Sequence, residues 1–169
     1  YGVCRWFRRL GAIIDHLLQK PFKPRDRDLR LLLMVGAYQL LYSRVPPHAA
    51  LSTTVEGTRK LGKPWASKLV NGVLRRLQRE QAQITGGIDA EPALRYAQPD
   101  WLYRAITAAW PDQAAAVLDA LQQRPPMTLR VDLGRITRGD YAGRLAEAGI
   151  TARPHPGVDS ALVLDQAHA

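Results

Sequence analysis

Apolar side chains recur with a helical period over the first half of the chain. Between residues 2 and 19 they return every three or four positions, while Arg5, Arg8 and Arg9 fall on the opposite face. Residues 28–42 are apolar on nearly all sides, which is typical of a helix at the centre of a bundle. Short connections that contain proline or glycine separate these segments, which favours antiparallel packing. The four predicted helices are 2–19, 28–42, 47–61 and 64–84.

The pattern changes near residue 85. Gly86, Gly87 and Pro92 interrupt the helical period, so we interpret residues 85–91 as a linker. Met127–Asp132 then alternate between apolar and polar, as a half-buried strand does. The elements predicted beyond the linker are helices at 92–97, 99–109, 111–122 and 137–148 and strands at 127–132, 150–153 and 161–164. The predicted fold is therefore mostly α. Its predicted domains are an all-α domain over 1–84 and a small α+β domain over 92–169.

Size and composition exclude several classes of protein. The 169 residues, 46% of them hydrophobic, suffice for one ordinary domain or two small ones. No apolar run approaches the roughly 18–20 residues that a membrane-spanning helix needs. Cys4 is the only cysteine, so an internal disulfide and a multi-cysteine zinc site are excluded, which suits a cytoplasmic protein. We expect Cys4 to be a small, buried apolar residue.

Positive charge is concentrated in the first half of the chain. Residues 1–80 hold 16 Lys and Arg against 5 Asp and Glu, whereas residues 81–169 hold 8 against 10. A basic block beside a slightly acidic one indicates a polyanionic partner for the first half. Solvated helix faces without a partner would give the same composition, and charge alone leaves both interpretations open.

The sequence carries no recognisable catalytic motif. It has no glycine-rich dinucleotide fingerprint and no phosphate-binding loop. The four histidines, which are His16, His48, His155 and His168, lack the spacing of metal ligands. We therefore predict no catalytic residue, no metal site and no cofactor site in this chain.

Basic side chains interleaved with aromatic ones remain as the candidate site. Arginine forks match phosphate oxygens, and the bases of looped RNA stack on aromatic faces. Taken singly, Trp6 and Trp65 are more typical of packing than of base stacking, so the cations carry the prediction. Arg130 is included because an alternating strand can place it on the solvent side. The candidate RNA-binding residues are Arg5, Arg8, Arg9, Lys68, Arg75, Arg76, Arg79 and Arg130.

Two stretches of the first domain resemble the NusB-like fold. Val45–Leu51, with its two prolines, is similar to the entry of the third helix of that fold, and Leu69–Arg76 is similar to its "VNGVLR" helix. In this helix we expect Gly72 to let a neighbouring helix approach closely and Asn71 to hydrogen-bond across that contact. Gly72→Leu is accordingly expected to overpack the bundle.

Two later stretches resemble RNA cytosine-5 methyltransferases. Tyr96–Leu102 is similar to their "shP.WL" segment, and Arg124–Asp132 is similar to their "RPP..LRVN" strand, with Asp132 where asparagine is usual. The order of all four stretches is similar to that of the small-subunit ribosomal RNA methyltransferase B family, and the resemblance covers nearly the whole chain.

The resemblance implies that this chain is the RNA-binding part of a bacterial, cytoplasmic enzyme whose catalysis takes place in another domain. The parent protein would transfer a methyl group from S-adenosylmethionine to C5 of a cytosine in 16S rRNA. A catalytic domain with two active cysteines is expected after Ala169, and the first NusB-like helices are expected ahead of Tyr1. This chain would then orient the rRNA, with the catalytic domain of the same polypeptide as its other partner.

Two other functions remain open at this stage. A transcription antitermination factor of the NusB type would bind RNA without any enzymatic domain, and the residues after 92 speak against it. A helical scaffold that binds another protein would use its charge for solubility alone. RNA titrations at two salt concentrations distinguish the scaffold from the RNA-binding hypothesis.

Overall fold

A computed structural model describes residues Tyr1–Asp165. The prediction for His168, and the end of the predicted second domain, lie outside the described residues. The helices are α1 (Gly2–Arg5), α2 (Phe7–Leu17), α3 (Arg27–Tyr42), α4 (Pro47–Lys60), α5 (Ser67–Arg79), α6 (Gln81–Asp89), α7 (Pro92–Arg95), α8 (Asp100–Ala109), α9 (Ala114–Gln122) and α10 (Arg138–Glu147). The strands are β1 (Thr128–Arg130), β2 (Ala152–Pro154) and β3 (Ala161–Leu164). The predicted fold class, a helical region followed by a small α+β region, is confirmed.

The chain divides into two compact units, Tyr1–Gln122 and a second that begins at Gln123. This division differs from the sequence-based one, in which residues 85–91 form a linker. Most of that segment is helix α6, because Ile84 is buried and Ile88 packs against the same core. The helices up to α9 therefore belong to the first unit. The predicted domain boundaries at residues 84 and 92 concern the family domains and remain a prediction.

Helix α3 lies at the centre of the first unit, as its apolar sequence predicts. Leu29, Leu33 and Met34 are fully buried and pack with the apolar faces of α2 and α5 in one core. Each of those neighbours has a single apolar stripe, which faces this core. Gly62, at φ +69°, ends the turn after α4, because glycine adopts this left-handed conformation without a steric penalty.

The close helix approach occurs at Gly36, whereas the expectation placed it at Gly72. A Cβ at Gly36 would lie 2.8 Å from Oγ1 of Thr54 and 2.9 Å from Cδ1 of Leu74, on α4 and α5. A Cβ at Gly72 would meet no atom within 4 Å, because this residue lies on the exposed side of α5. The prediction that Gly72→Leu overpacks the bundle is therefore wrong. Asn71 also stays within its own helix, where its Oδ1 accepts a hydrogen bond from Nε of Arg75 at 3.2 Å.

Lys63 joins the start of α3 to the connection between α4 and α5. Its Nζ lies 3.0 Å from Oδ1 of Asp26 and 2.6 Å from Oδ1 of Asp28, and it donates to the carbonyl oxygen of Arg25 at 2.7 Å. The Lys63 side chain is only 17% exposed. Charge-assisted hydrogen bonds of this kind hold the two segments in a fixed position.

The two longest predicted helices are interrupted in the structure. The segment 2–19 is divided at Trp6, which has φ −94° and ψ 13° and stacks on Tyr42. Its second part ends at Leu17, because the backbone of Leu18 is extended. The segment 64–84 begins with a 3-10 turn at Pro64–Ala66 and ends α5 at Arg79, before α6 starts. Within Tyr1–Asp165 no helix combines the length and apolar character that crossing a membrane requires.

The second unit contains a three-stranded antiparallel sheet with the order β1-β3-β2. Leu129 pairs with Leu162, and Leu162 pairs with Pro154 on the other side. Strands β1 and β2 are therefore parallel to each other, with α10 as their connection and β3 between them. Every residue of β3 is buried, as expected for a central strand.

We predict that Gly36→Ala destabilises the protein by about 1–3 kcal/mol, because the new methyl group collides with Thr54 and Leu74. Denaturant unfolding measures the loss. Gly86→Ala is the matched control: it lies in a helix, its Cβ meets no atom within 4 Å, and alanine favours helix by up to about 1 kcal/mol. Equal stabilities of the two variants would contradict the close contact at Gly36.

We also predict that the Lys63 cluster limits stability at both ends of the pH scale. The hydrogen bond from Lys63 lowers the pKa of Asp28 below 3.8, and the hydrogen bond to Asp28 raises the pKa of Lys63 above 10.5. The Asp28 contribution is present above pH 3.8 and is lost as pH falls through its lowered pKa. The Lys63 contribution is present below pH 10.5 and is lost as pH rises through its raised pKa.

Thermal melts of the native chain and of Lys63→Met between pH 2 and pH 8 test the acid half of this prediction, and melts between pH 8 and pH 12 test the alkaline half. Lys63→Met should have a lower Tm at neutral pH and a shallower fall of Tm towards acid. Parallel Tm profiles for the two proteins would show that Lys63 does not stabilise the ionised Asp28.

Candidate nucleic-acid interface

Helix α5 separates an apolar face from a basic one. Val70, Leu74 and Leu77 are buried in the core, whereas the basic face points to solvent. At 100° per residue, Lys68, Gly72, Arg75 and Arg79 lie within about 60° of arc, and Arg76 lies about 40° beyond it. We call the cations Lys68, Arg75, Arg76 and Arg79 the α5 basic row. It presents four positive charges on one side of one rigid helix.

The α5 basic row has few internal partners. Within Tyr1–Asp165, Lys68 forms no ion pair, and Arg75 bonds only to the neutral side chain of Asn71. Arg76 and Arg79 share one carboxylate, Glu80, at 2.8 Å and 3.7 Å. Such exposed pairs contribute little to stability, so these cations remain available to another anion.

Arg9, by contrast, is committed to partners inside the first unit. Its Nε and Nη2 donate to both carboxylate oxygens of Asp89 at 2.9 Å and 2.8 Å, and its Nη1 donates to the hydroxyl of Tyr42. Its guanidinium lies 5.6 Å from the centre of the Trp6 ring, and its side chain is 12% exposed. This geometry joins α2 to α6, which the spacing of arginines along α2 did not reveal.

The two remaining cations near the N-terminus differ in their surroundings. Arg8 pairs with Asp100 at 3.1 Å, and both side chains are about half exposed. Arg5 is half-buried and forms no ion pair with the residues that the structure describes. Neither lies in a row of cations comparable to that on α5.

Arg130 belongs to the second unit. It is the last residue of β1, it is exposed, and it pairs in register with Ala161 of β3. Beside it, Val131, Asp132 and Ser160 line an open groove of about 460 Å³. Asp132 faces Arg135 at 3.3 Å, so the local charge is mixed rather than basic.

The aromatic candidates also take different roles. Trp6 stacks on Tyr42 with ring centres 4.6 Å apart and planes 11° from parallel, so it packs inside the first unit. Trp65 is 62% exposed and precedes Lys68 by three residues. An exposed indole next to a row of cations is suited to stacking with a base.

A groove between the end of α2 and α5 adds one cation that sequence reasoning missed. Its volume is about 540 Å³, and it brings Lys20 to the same groove as Lys68 and Arg76. Lys20 follows the last turn of α2, so no helical spacing connects it with α5. The only signal in the sequence is its place in the basic half of the chain.

The described residues contain no group of three or more His, Cys, Asp or Glu side chains that is placed to hold a metal ion. Cys4 is exposed, so the expectation that it is a buried apolar residue is wrong. The start of the chain before Trp6 is a single helical turn without buried residues, which explains the exposure.

Comparisons with known proteins match both halves of the chain. Residues 1–79 match the NusB family, and residues 98–169 match the RsmF/B-like methyltransferase ferredoxin-like domain. The order of these matches agrees with the resemblance that the sequence motifs indicate. The first match ends at residue 79 and the second begins at residue 98, so they flank the predicted linker at 85–91. The two compact units of the structure, by contrast, divide after Gln122.

Several curated proteins are similar along most of the chain. Ribosomal RNA small subunit methyltransferase B of Pseudomonas putida is 48% identical over 152 residues, which are 90% of this chain and 35% of that protein. The proteins of the same name from Klebsiella pneumoniae and Escherichia fergusonii are 42% and 40% identical over 97% and 98% of this chain. The chain spans 38% of each of these two relatives, so it corresponds to little more than a third of their length.

We predict that substitution by alanine costs much more stability at Arg9 than at Arg75. Arg9→Ala removes a bidentate pair and should destabilise the protein by about 1–3 kcal/mol, because Asp89 loses its charged donor. Arg75→Ala should change the free energy of unfolding by less than about 0.5 kcal/mol, because Arg75 is exposed. Urea unfolding compares the two, and a larger loss for Arg75→Ala would contradict the assigned roles.

Proposed function

Because the chain belongs to the family of ribosomal RNA small subunit methyltransferase B, in its NusB-like and ferredoxin-like region, we propose that it binds ribosomal RNA for that enzyme. In this proposal the chain holds and orients 16S rRNA, and the methyl transfer to C5 of a cytosine takes place elsewhere in the parent protein. The place of action is then the bacterial cytoplasm, where ribosomal subunits are assembled.

The observation that carries the proposal is the α5 basic row. Four cations on one face, opposite a fully packed apolar face, are not required for burial. Phosphate contacts position RNA without reading its sequence, and arginine binds phosphate oxygens with its planar fork. Trp65 adds an exposed aromatic face in the 3-10 turn that precedes the same helix. The row therefore supplies general RNA affinity and a defined orientation.

The other candidate cations take secondary places in this proposal. Arg5 and Arg8 extend the basic surface of the first unit, and Arg130 is the contribution of the second unit. Arg9 is used by the fold, through Asp89 and Tyr42, and acts on RNA only by keeping α2 in place.

The methyl donor is placed outside this chain. S-adenosylmethionine would supply the methyl group, and the residues present do not fit it, because within Tyr1–Asp165 no strand is followed by a glycine-rich turn into a helix. The catalytic domain is accordingly proposed as a partner of this chain within the same polypeptide.

Two other functions are weaker on specific grounds. A NusB-type antitermination factor would not explain why residues 98–169 match a methyltransferase-associated domain. A protein-binding scaffold does not explain why four cations are concentrated on the exposed face of α5. RNA titration distinguishes the scaffold from the proposed function, since the scaffold predicts no RNA affinity.

We predict that Lys68→Ala combined with Arg75→Ala weakens binding of single-stranded RNA and flattens its salt dependence. Each lost phosphate contact should lower the slope of log K against log salt by about 0.7, because fewer condensed counterions are released. Fluorescence anisotropy of labelled RNA at several salt concentrations measures both quantities. Two unrelated RNA sequences should weaken by a similar factor, since phosphates carry no base information.

Charge reversal at two exposed acidic positions of the first unit, Asp112 and Asp119, is the control. It changes the net charge without touching α5, so its effect on the affinity should be much smaller. An unchanged salt slope in the α5 double variant, with equal affinities of both variant pairs, would reject the proposed interface.

A further inference from the structure

Gly72 lies in the middle of the α5 basic row and faces solvent. One turn before it stands Lys68, and one turn after it stand Arg75 and Arg76. A Cβ built on Gly72 meets nothing within 4 Å, so no neighbouring helix needs the missing side chain. The row of cations therefore has a gap at its centre, where the backbone of the helix is bare.

Glycine at this position needs a reason other than packing or backbone geometry. Its φ angle is in the ordinary helical range, since the positive-φ glycines of the described residues are Gly62 and Gly149. Glycine inside a helix lowers its stability relative to alanine, because it loses more conformational freedom on folding. Neither internal packing nor a turn compensates for this loss at Gly72.

The gap opens onto the groove between α2 and α5. Gly72 lines this groove of about 540 Å³ together with four apolar residues, one neutral polar residue and three cations. These residues are Leu17, Leu18, Leu69, Val73, Gln19, Lys20, Lys68 and Arg76. Leu17 and Val73 are almost fully buried, whereas Leu69 is 41% exposed. The groove thus has an apolar floor and positive charge at its rim, and its volume falls within the range of about 300–1,000 Å³ that small ligands occupy.

We propose that Gly72 is the entry point through which one nucleotide of single-stranded RNA reaches the α2–α5 groove. The base lies on the apolar floor, and the phosphates on either side contact Lys68, Arg76 and Lys20. The missing side chain lets the sugar-phosphate backbone approach α5 closely enough for both contacts. This inference rests on the proposed function and adds a defined subsite to it.

Single-stranded RNA fits the groove better than an acidic peptide does. The floor is apolar and short, which suits one unstacked base, and the cations continue along α5 beyond the groove, which suits successive phosphates of a strand. Double-stranded RNA cannot place a base on the floor, because its bases are paired and stacked. The proposal therefore requires unpaired nucleotides.

The test substitutes Gly72 and a matched glycine in the full chain. Gly72→Leu fills the gap without removing a charge, and Gly86→Leu places the same side chain in open space on α6, away from the groove. Thermal melts should show that both variants fold, since neither Cβ meets a neighbour. Anisotropy with a labelled single-stranded oligoribonucleotide should show a loss of about tenfold for Gly72→Leu, or about 1.4 kcal/mol. Gly86→Leu should bind like the native chain.

The salt dependence separates this inference from the proposed function. Gly72→Leu should keep the native slope of log K against log salt, because all cations of the α5 basic row remain. Gly72→Ala, which adds only a methyl group, should bind with an affinity between those of the native chain and Gly72→Leu.

Native affinity of Gly72→Leu, together with weak binding of Lys68→Ala with Arg75→Ala, would overturn the groove and leave the function standing. Native affinity of both variants would reject the groove and the RNA function together. Equal displacement of the oligonucleotide by poly-glutamate and by unlabelled RNA would also overturn the inference, because it would show a general anion site.

Discussion

The contact of α3 with α4 and α5 at Gly36 determines how the first unit presents its charges. Atoms of Thr54 and Leu74 lie less than 3 Å from the position that a Cβ atom on residue 36 would occupy, so only glycine leaves room for them. Leu74 in turn belongs to the apolar stripe of α5, so its place against α3 fixes the rotation of that helix. Once the stripe faces inward, the cations on the opposite side of α5 must face outward. The proposed RNA surface is therefore a consequence of core packing rather than of an independent loop.

The sequence predicted the elements well and their contacts less well. Periodicity places the apolar faces of α2 and α5 correctly, because burial of such a face is the main reason that each helix is stable. For α3, whose sequence is apolar on nearly all sides, periodicity does not show that Leu31 and Val35 are exposed. It does not distinguish a glycine that permits close approach from one that faces solvent. Gly36 and Gly72 both lie inside helices beside at least one apolar residue, and only the position of the neighbouring helices separates them.

The candidate cations show the same limit. An arginine on the polar side of a helix appears equally exposed in any helical projection, yet Arg9 meets Asp89 from a helix 80 positions later in the chain. This ion pair depends on how α6 packs against α2. The sequence predicted a linker at 85–91, where the structure has most of α6, so Asp89 was not expected to lie near Arg9. Residues whose surroundings come from their own helix, such as Lys68 and Arg75, were placed correctly on its solvent side. Their function remains a prediction.

Glu80 gives the α5 basic row a built-in counterion. Its carboxylate lies 2.8 Å from Nε of Arg76 and 3.7 Å from Nη2 of Arg79, so it offsets part of their positive charge. In the proposed RNA interface, a phosphate that binds these two arginines exchanges partners with the Glu80 carboxylate, which is then left to water. Glu80 therefore competes with the proposed ligand for both arginines. This competition lowers the affinity of the α5 basic row for any anion and makes the proposed binding easier to reverse.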